Sequence, residues 1–193
     1  PDVSLHVLLP GRLVPEKGHL DLIAALRDPR LAELPLKITF AGHGKLQTEL
    51  EHAYGDLPFL LEVTGSLDHR SFLRVMETAD IVVIPSRFEG FGLTALEAMS
   101  LSKAIIASTA GGLPEVIGDT GRLVPIGDER AIADAILELA NDPGLRDAMG
   151  RVARSRAETH FSLPAIASQL NKIYETLVPS KGRLCPPSKP ETA

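Results

Sequence analysis

Cysteine is almost missing from this chain. Its one cysteine, Cys185, stands among prolines near the C-terminus, so no disulfide framework can form and a reducing compartment is expected. Long apolar runs are missing too. Nothing approaches the roughly 20 residues a membrane-spanning helix needs, and the first residues do not read as a signal peptide, so a soluble, cytoplasmic protein is expected. Positive charge is not in excess either: 20 Lys and Arg face 25 Asp and Glu, for a net charge of -5. That balance lacks the basic footprint that dominates affinity for nucleic acid, and duplex DNA or RNA is excluded as a partner. Six histidines, His6, His19, His43, His52, His69 and His160, are scattered without metal-ligand spacing, so no metal site is expected. What remains is a chain of 193 residues, 44% hydrophobic, long enough to build one core without staples.

Short runs rich in Val, Ile and Leu alternate with amphipathic segments of helical period, the pattern of βαβ units around a parallel sheet. Six strands are predicted: Leu5–Leu9, Leu36–Ala41, Leu60–Thr64, Ile81–Pro85, Ala104–Ala107 and Arg122–Val124. Helices are predicted near Gly18–Arg27, Lys45–Ala53, His69–Thr78 and Leu93–Leu101, with a shorter one from Pro114. The fold class is therefore α/β, a doubly wound parallel six-stranded sheet, with ligands expected at its carboxyl edge. Three helices follow in succession, Glu129–Ala140, Gly144–Glu158 and Pro164–Leu177, with Asp128 and Ser162 where N-caps belong. The last carries an apolar stripe, Ile166, Leu170, Ile173, Tyr174 and Leu177, which needs a surface to cover. Residues 1–178 read as one domain and residues 179–193 as a Pro-rich tail without fixed structure.

Two turns carry chemistry. After the first strand, Gly11 and Arg12 leave the sheet edge and Lys17 and Gly18 open the next helix, placing two cations beside the positive end of a helix dipole. That suits a phosphate, and it also suits a plain Gly/Pro turn with two solvated charges. The dinucleotide fingerprint G-x-G-x-x-G and the phosphate-cradling loop of nucleoside triphosphatases are both absent; Gly44-Lys45 is followed by Leu46, not Ser or Thr. The second turn lies in ADIVVIPSRFEGFGLTALEAMS. A buried strand ends near Pro85, a loop carries Glu89, Gly90, Phe91 and Gly92, and a helix begins near Leu93. Free N–H groups of Gly92, Leu93 and Thr94 suit an anion, and the two glycines let the backbone approach it. At 1.5 Å rise per residue Glu97 lies roughly 6 Å inside the helix, with Glu89 on the other side of the anion. A ligand with a central diphosphate, ribose at one end and sugar at the other would meet a carboxylate at each end, and carboxylates accept paired hydroxyls well.

GRLVPEKG, AGHG, SRFEGFGLTALEAM with its E-x7-E spacing, and GGLPEVIGDTGRLVP, in that order and each at a strand end, resemble the C-terminal, donor-binding domain of family 4 retaining glycosyltransferases, the Rossmann-like half of a GT-B fold. The resemblance runs from about residue 5 to 177. It implies that Arg12 and Lys17 bind the donor diphosphate and stabilise the leaving group. Glu97 would take the ribose hydroxyls. Glu89, with the backbone of Gly90, Phe91 and Gly92, would hold the transferred sugar, and Leu93 and Thr94 would cap the phosphate. Gly65, Ser66 and Leu67 would border the base, and Gly111-Gly112 would either turn into a helix or face the diphosphate. It further implies a UDP-, GDP- or ADP-sugar donor, no cofactor and no metal, and transfer with retention of anomeric configuration.

The chain departs from the family pattern at Gly42-His43-Gly44, where many relatives have Gly-Asp-Gly, and at Ser102-Lys103-Ala104, where Gly-x-Pro is common. No stretch of the chain resembles the family's N-terminal acceptor domain, so a fragment lacking that domain and without transfer activity is expected, with peripheral membrane association left to that domain and self-association through the last helix. Half of a sugar-nucleotide epimerase and a non-catalytic nucleotide-binding module are the rival readings.

Overall fold

A computed structural model describes residues 4–177; the Pro-rich tail and Cys185 lie outside the described residues. The sheet has six strands, β1 (Leu5–Pro10), β2 (Leu36–Ala41), β3 (Leu60–Val63), β4 (Ile81–Ile84), β5 (Ala104–Ser108) and β6 (Arg122–Val124). They lie in the order β3-β2-β1-β4-β5-β6, every pair parallel, as the apolar runs predict. Each predicted strand is found within one residue of its expected ends. The order reverses between β1 and β4, where Val7 pairs with Ile81, and this switch point opens a crevice at the carboxyl edge.

Alternation along β1 divides the core in two. Val7 and Leu9 face α1 (His19–Leu26), α2 (Gln47–Ala53) and α6 (Glu129–Asn141), while Leu8 faces α3 (His69–Glu77), α4 (Leu93–Ser100) and α5 (Leu113–Ile117) on the other side. The central strands are buried on both faces, which is why they read as unbroken apolar runs. Asp128 caps α6 as expected, accepting from the Ala131 amide at 2.9 Å. Asp142 does the same for α7 (Pro143–Arg156), one residue earlier than the predicted start.

The C-terminal region differs most from expectation. α7 runs on into a π-turn, Ala157–Phe161, before Ser162 starts α8 (Leu163–Leu177). α8 buries none of its residues: Ile166, Leu170, Ile173, Tyr174 and Leu177 are all exposed. The stripe therefore has no surface to cover within the described residues.

Candidate functional site at the switch point

The loop after β1 is pinned to the loop after β4. The Glu16 carbonyl accepts from the Arg87 amide at 2.8 Å and from the Phe88 amide at 3.3 Å. The Arg87 guanidinium forks onto Asp21, at 2.9 and 2.6 Å, and Asp21 sits buried in the first turn of α1. Gly18 lies so close to the Pro85 carbonyl that a Cβ there would overlap it, and its φ of 71° is in the left-handed region. Sequence reasoning missed Arg87 and Asp21, because a first-turn Asp ordinarily reads as a solvated dipole partner.

Within this frame Lys17 and Glu89 meet directly. The Lys17 ammonium donates to Glu89 Oε2 at 2.6 Å, with the two side chains 21% and 14% exposed. The Ser86 hydroxyl is 3.5 Å from the same oxygen. The sequence reading set these two residues on different parts of a ligand; without ligand they neutralise each other. Arg12, by contrast, is exposed and makes no side-chain hydrogen bond or ion pair among the described residues, so its guanidinium is free for an incoming anion.

α4 begins at Gly92, with φ 97°, and among the described residues no side chain caps it. The amides of Leu93 and Thr94 thus point toward the crevice mouth with the dipole behind them. Leu93 is exposed and Thr94 half-buried. Gly90 is exposed with nothing near the place a Cβ would occupy. The Phe91 ring turns away to meet Phe161 of the π-turn edge-on, centroids 6.0 Å apart, and leaves its backbone to face the loop. Gly111 and Gly112 lie against this loop: the Gly112 amide donates to the Gly90 carbonyl at 3.0 Å, and a Cβ on Gly111 would overlap the Glu89 carbonyl. Their contacts are with the loop's backbone, which they hold in place.

Glu97 is half-buried on α4, and burial pushes its carboxyl above the usual range while His69 acts in the opposite direction. Among the described residues its carboxylate accepts no hydrogen bond; His69 Nδ1 stands 3.7 Å away. A half-buried carboxylate with its charge disfavoured, at the edge of the sheet where ligands bind, makes Glu97 a candidate for the site. Ser66 and Leu67 follow β3 toward α3, exposed and half-buried. Two cations, an uncapped helix start and two carboxylates thus share one sheet edge, an arrangement that can take a divalent anion between hydroxyl-bearing groups.

A parallel sheet in this order with helices on both faces defines a doubly wound, Rossmann-like α/β domain. The match to the family described as "Glycosyl transferases group 1" covers residues 4–142, and the chain belongs to that family. A GDP-mannose-dependent monoacylated alpha-(1-6)-phosphatidylinositol monomannoside mannosyltransferase of Corynebacterium glutamicum is 30% identical over 174 residues, 86% of this chain and 46% of that protein. The chain thus spans about half the length of such relatives. Among solved structures, Anabaena HepE in complex with UDP superposes with a TM-score of 0.77 at 25% identity, over 90% of this chain and 49% of that one. The C-terminal domain of a group 1 family glycosyltransferase from Francisella tularensis superposes with a TM-score of 0.70 at 28% identity, over 82% of this chain and 87% of that one. Among the described residues no helix is long and apolar enough to cross a membrane.

Proposed function

We propose that this chain is the donor-binding domain of a retaining hexosyltransferase of family 4, taking a sugar from a UDP-, GDP- or ADP-sugar. The observation that carries this reading is the Lys17–Glu89 ion pair at the carboxyl edge of the sheet, with the uncapped start of α4 following Glu89, Glu97 inside that helix and Arg12 exposed after β1. The diphosphate lies between the α4 amides and the two cations. Glu97 takes the ribose, Ser66 and Leu67 border the base, and Glu89 with the backbone of Gly90, Phe91 and Gly92 takes the sugar. The UDP held by HepE and the GDP-mannose named for the mannosyltransferase support a nucleotide-sugar ligand, and the Francisella domain supports the C-terminal placement.

In the reaction the bond from the anomeric carbon to the diphosphate breaks and a bond to the acceptor oxygen forms on the same face. Arg12 and Lys17 neutralise the charge growing on the departing diphosphate, Lys17 from a loop already held by the contacts of Glu16 with Arg87 and Phe88, and no metal is required. The departing phosphate oxygen receives the acceptor's proton. The acceptor is held by a second domain, supplied by the other half of the length that such relatives have, so this chain alone binds donor without transferring it.

Thermal shift against UDP, GDP, ADP and their sugars tests the reading. A ligand at 100 times its Kd adds about 2.7 kcal/mol, which for a domain of this size raises Tm by roughly 5–10 °C. No shift with any of them at millimolar concentration would refute it.

A further inference from the structure

His69 opens α3 one residue after its cap, and that cap is well made. Asp68 accepts from the Ser71 amide at 2.9 Å and from the Ser71 hydroxyl at 2.8 Å, which fixes the backbone on which the imidazole is carried. The side chain is 71% exposed, yet Nδ1 stands 3.7 Å from Glu97 Oε1. That is too long for a hydrogen bond and short enough for a charge contact or one bridging water. Glu97 needs such help. It is 30% exposed, flanked by Leu93, Leu96, Ala98 and Met99, and no other cation among the described residues comes within 4 Å of its carboxylate. Burial disfavours the ionised form, and positive charge on His69 favours it. The position matters as well as the charge, since His69 follows the Gly65–Leu67 loop by two residues and stands beside Glu97 of α4, where the nucleoside end of the proposed ligand would pass.

We propose that His69 is a positioning residue of the nucleoside subsite: it keeps the Glu97 carboxylate oriented and charged for the ribose hydroxyls. The proposal rests on the nucleotide-sugar reading above. It differs from a surface role in one respect: the effect of His69 must pass through Glu97.

The test is a double-mutant cycle read by titration calorimetry at mildly acidic pH, using whichever of UDP, GDP and ADP the parent binds most tightly. His69→Ala is expected to weaken binding about 3- to 10-fold, the scale of a partly exposed ion pair, and His69→Lys, which keeps a cation, to recover most of the loss. In a Glu97→Gln background, His69→Ala should change affinity little. A second readout needs no ligand: the 13C titration of the Glu97 carboxyl should move to higher pH in His69→Ala. Cooperative melting of each variant, at a Tm no lower than the parent's, comes first. Equal loss from His69→Ala in both backgrounds, no loss in the parent, or an unmoved Glu97 titration would overturn the proposal while leaving the nucleotide reading intact. If Glu97→Gln itself left binding of every nucleotide unchanged, or if the parent bound none of the three, the nucleotide reading would fall and this proposal with it.

Discussion

Replacing Glu89 by Gln keeps its shape and removes the charge that now engages Lys17, and the consequence for ligand binding can be worked from the geometry. The pair is 2.6 Å apart and each partner is at most about a fifth exposed, so an incoming diphosphate must compete with Glu89 for the ammonium. Two unit charges at about 4 Å attract by about 4 kcal/mol at an effective dielectric of 20. Only part of this is recoverable, because Lys17 can be shared between carboxylate and phosphate and because water reaches both. A pair between the exposed and the buried extremes suggests about 1–2 kcal/mol, or roughly 5- to 30-fold tighter binding of a bare nucleoside diphosphate to Glu89→Gln. The sugar-bearing donor loses hydrogen bonds to a carboxylate worth about 1.5–3 kcal/mol, which offsets that gain. The ratio of the two affinities should therefore collapse while the fold stays intact. Calorimetry with nucleotide and nucleotide-sugar on parent and variant reads both numbers. If Glu89→Gln weakened the bare nucleotide as much as Glu97→Gln does, the assignment of sugar and ribose ends would be wrong.

Other perturbations probe separate parts of the account. Arg12→Ala should weaken any nucleoside diphosphate by about 1.5–3 kcal/mol, roughly 10- to 150-fold, with unchanged melting, since the Arg12 side chain has no hydrogen-bond or ion-pair partner among the described residues to lose; unaltered calorimetric affinity would remove it from the site. Glu97→Gln should weaken nucleotides with and without sugar yet raise the Tm, because burial makes its charge a cost to the ligand-free fold; a lowered Tm would assign Glu97 to the structure instead. His19, buried with neither ring nitrogen hydrogen-bonded among the described residues and its ring edge-on to Phe40, is held from its ordinary 6.5 down to about 4 by burial and by Lys17. Below about 6.5 the unfolded chain takes up the proton first, so stability falls as pH drops from about 6.5 to 4, by about 3 kcal/mol in all; urea melts of His19→Leu should lack that slope, and an unchanged slope would point elsewhere. The open α8 stripe should drive self-association that light scattering detects, and making Leu170 and Ile173 polar should abolish it; a strict monomer at high concentration would contradict this.

Where local chemistry decided the outcome, the sequence was readable. The inner strands were visible because burial on both faces demands continuous apolar runs, the half-exposed outer strands β3 and β6 from short Leu/Val runs between turn residues, and the cap at Asp128 because its side chain acts three residues away. The site's residues could be named from two strand-end turns. Their pairing could not, because the Lys17–Glu89 and Asp21–Arg87 contacts span 72 and 66 residues and exist only once β1 and β4 are neighbours. His69 was missed for the same reason: one residue after a cap it reads as solvated, and only the packing of α3 beside α4 brings it to Glu97. The π-turn at Ala157–Phe161 left no mark in the apolar spacing, since its one extra residue per turn is accommodated where Phe161 meets Phe91 and the Arg156 guanidinium lies 5.9 Å above the Phe161 ring.

The central claim is the place and polarity of the donor, and amide chemical-shift mapping addresses it most directly. The 15N-labelled chain would be titrated with UDP, GDP and ADP. The account predicts that the tightest of them perturbs Gly11, Arg12, Gly92, Leu93, Thr94 and Glu97, with the Gly65–His69 segment shifting as the base seats. Shifts concentrated instead at the amino edge of the sheet, around Leu34–Leu36 and Asp80, would contradict it.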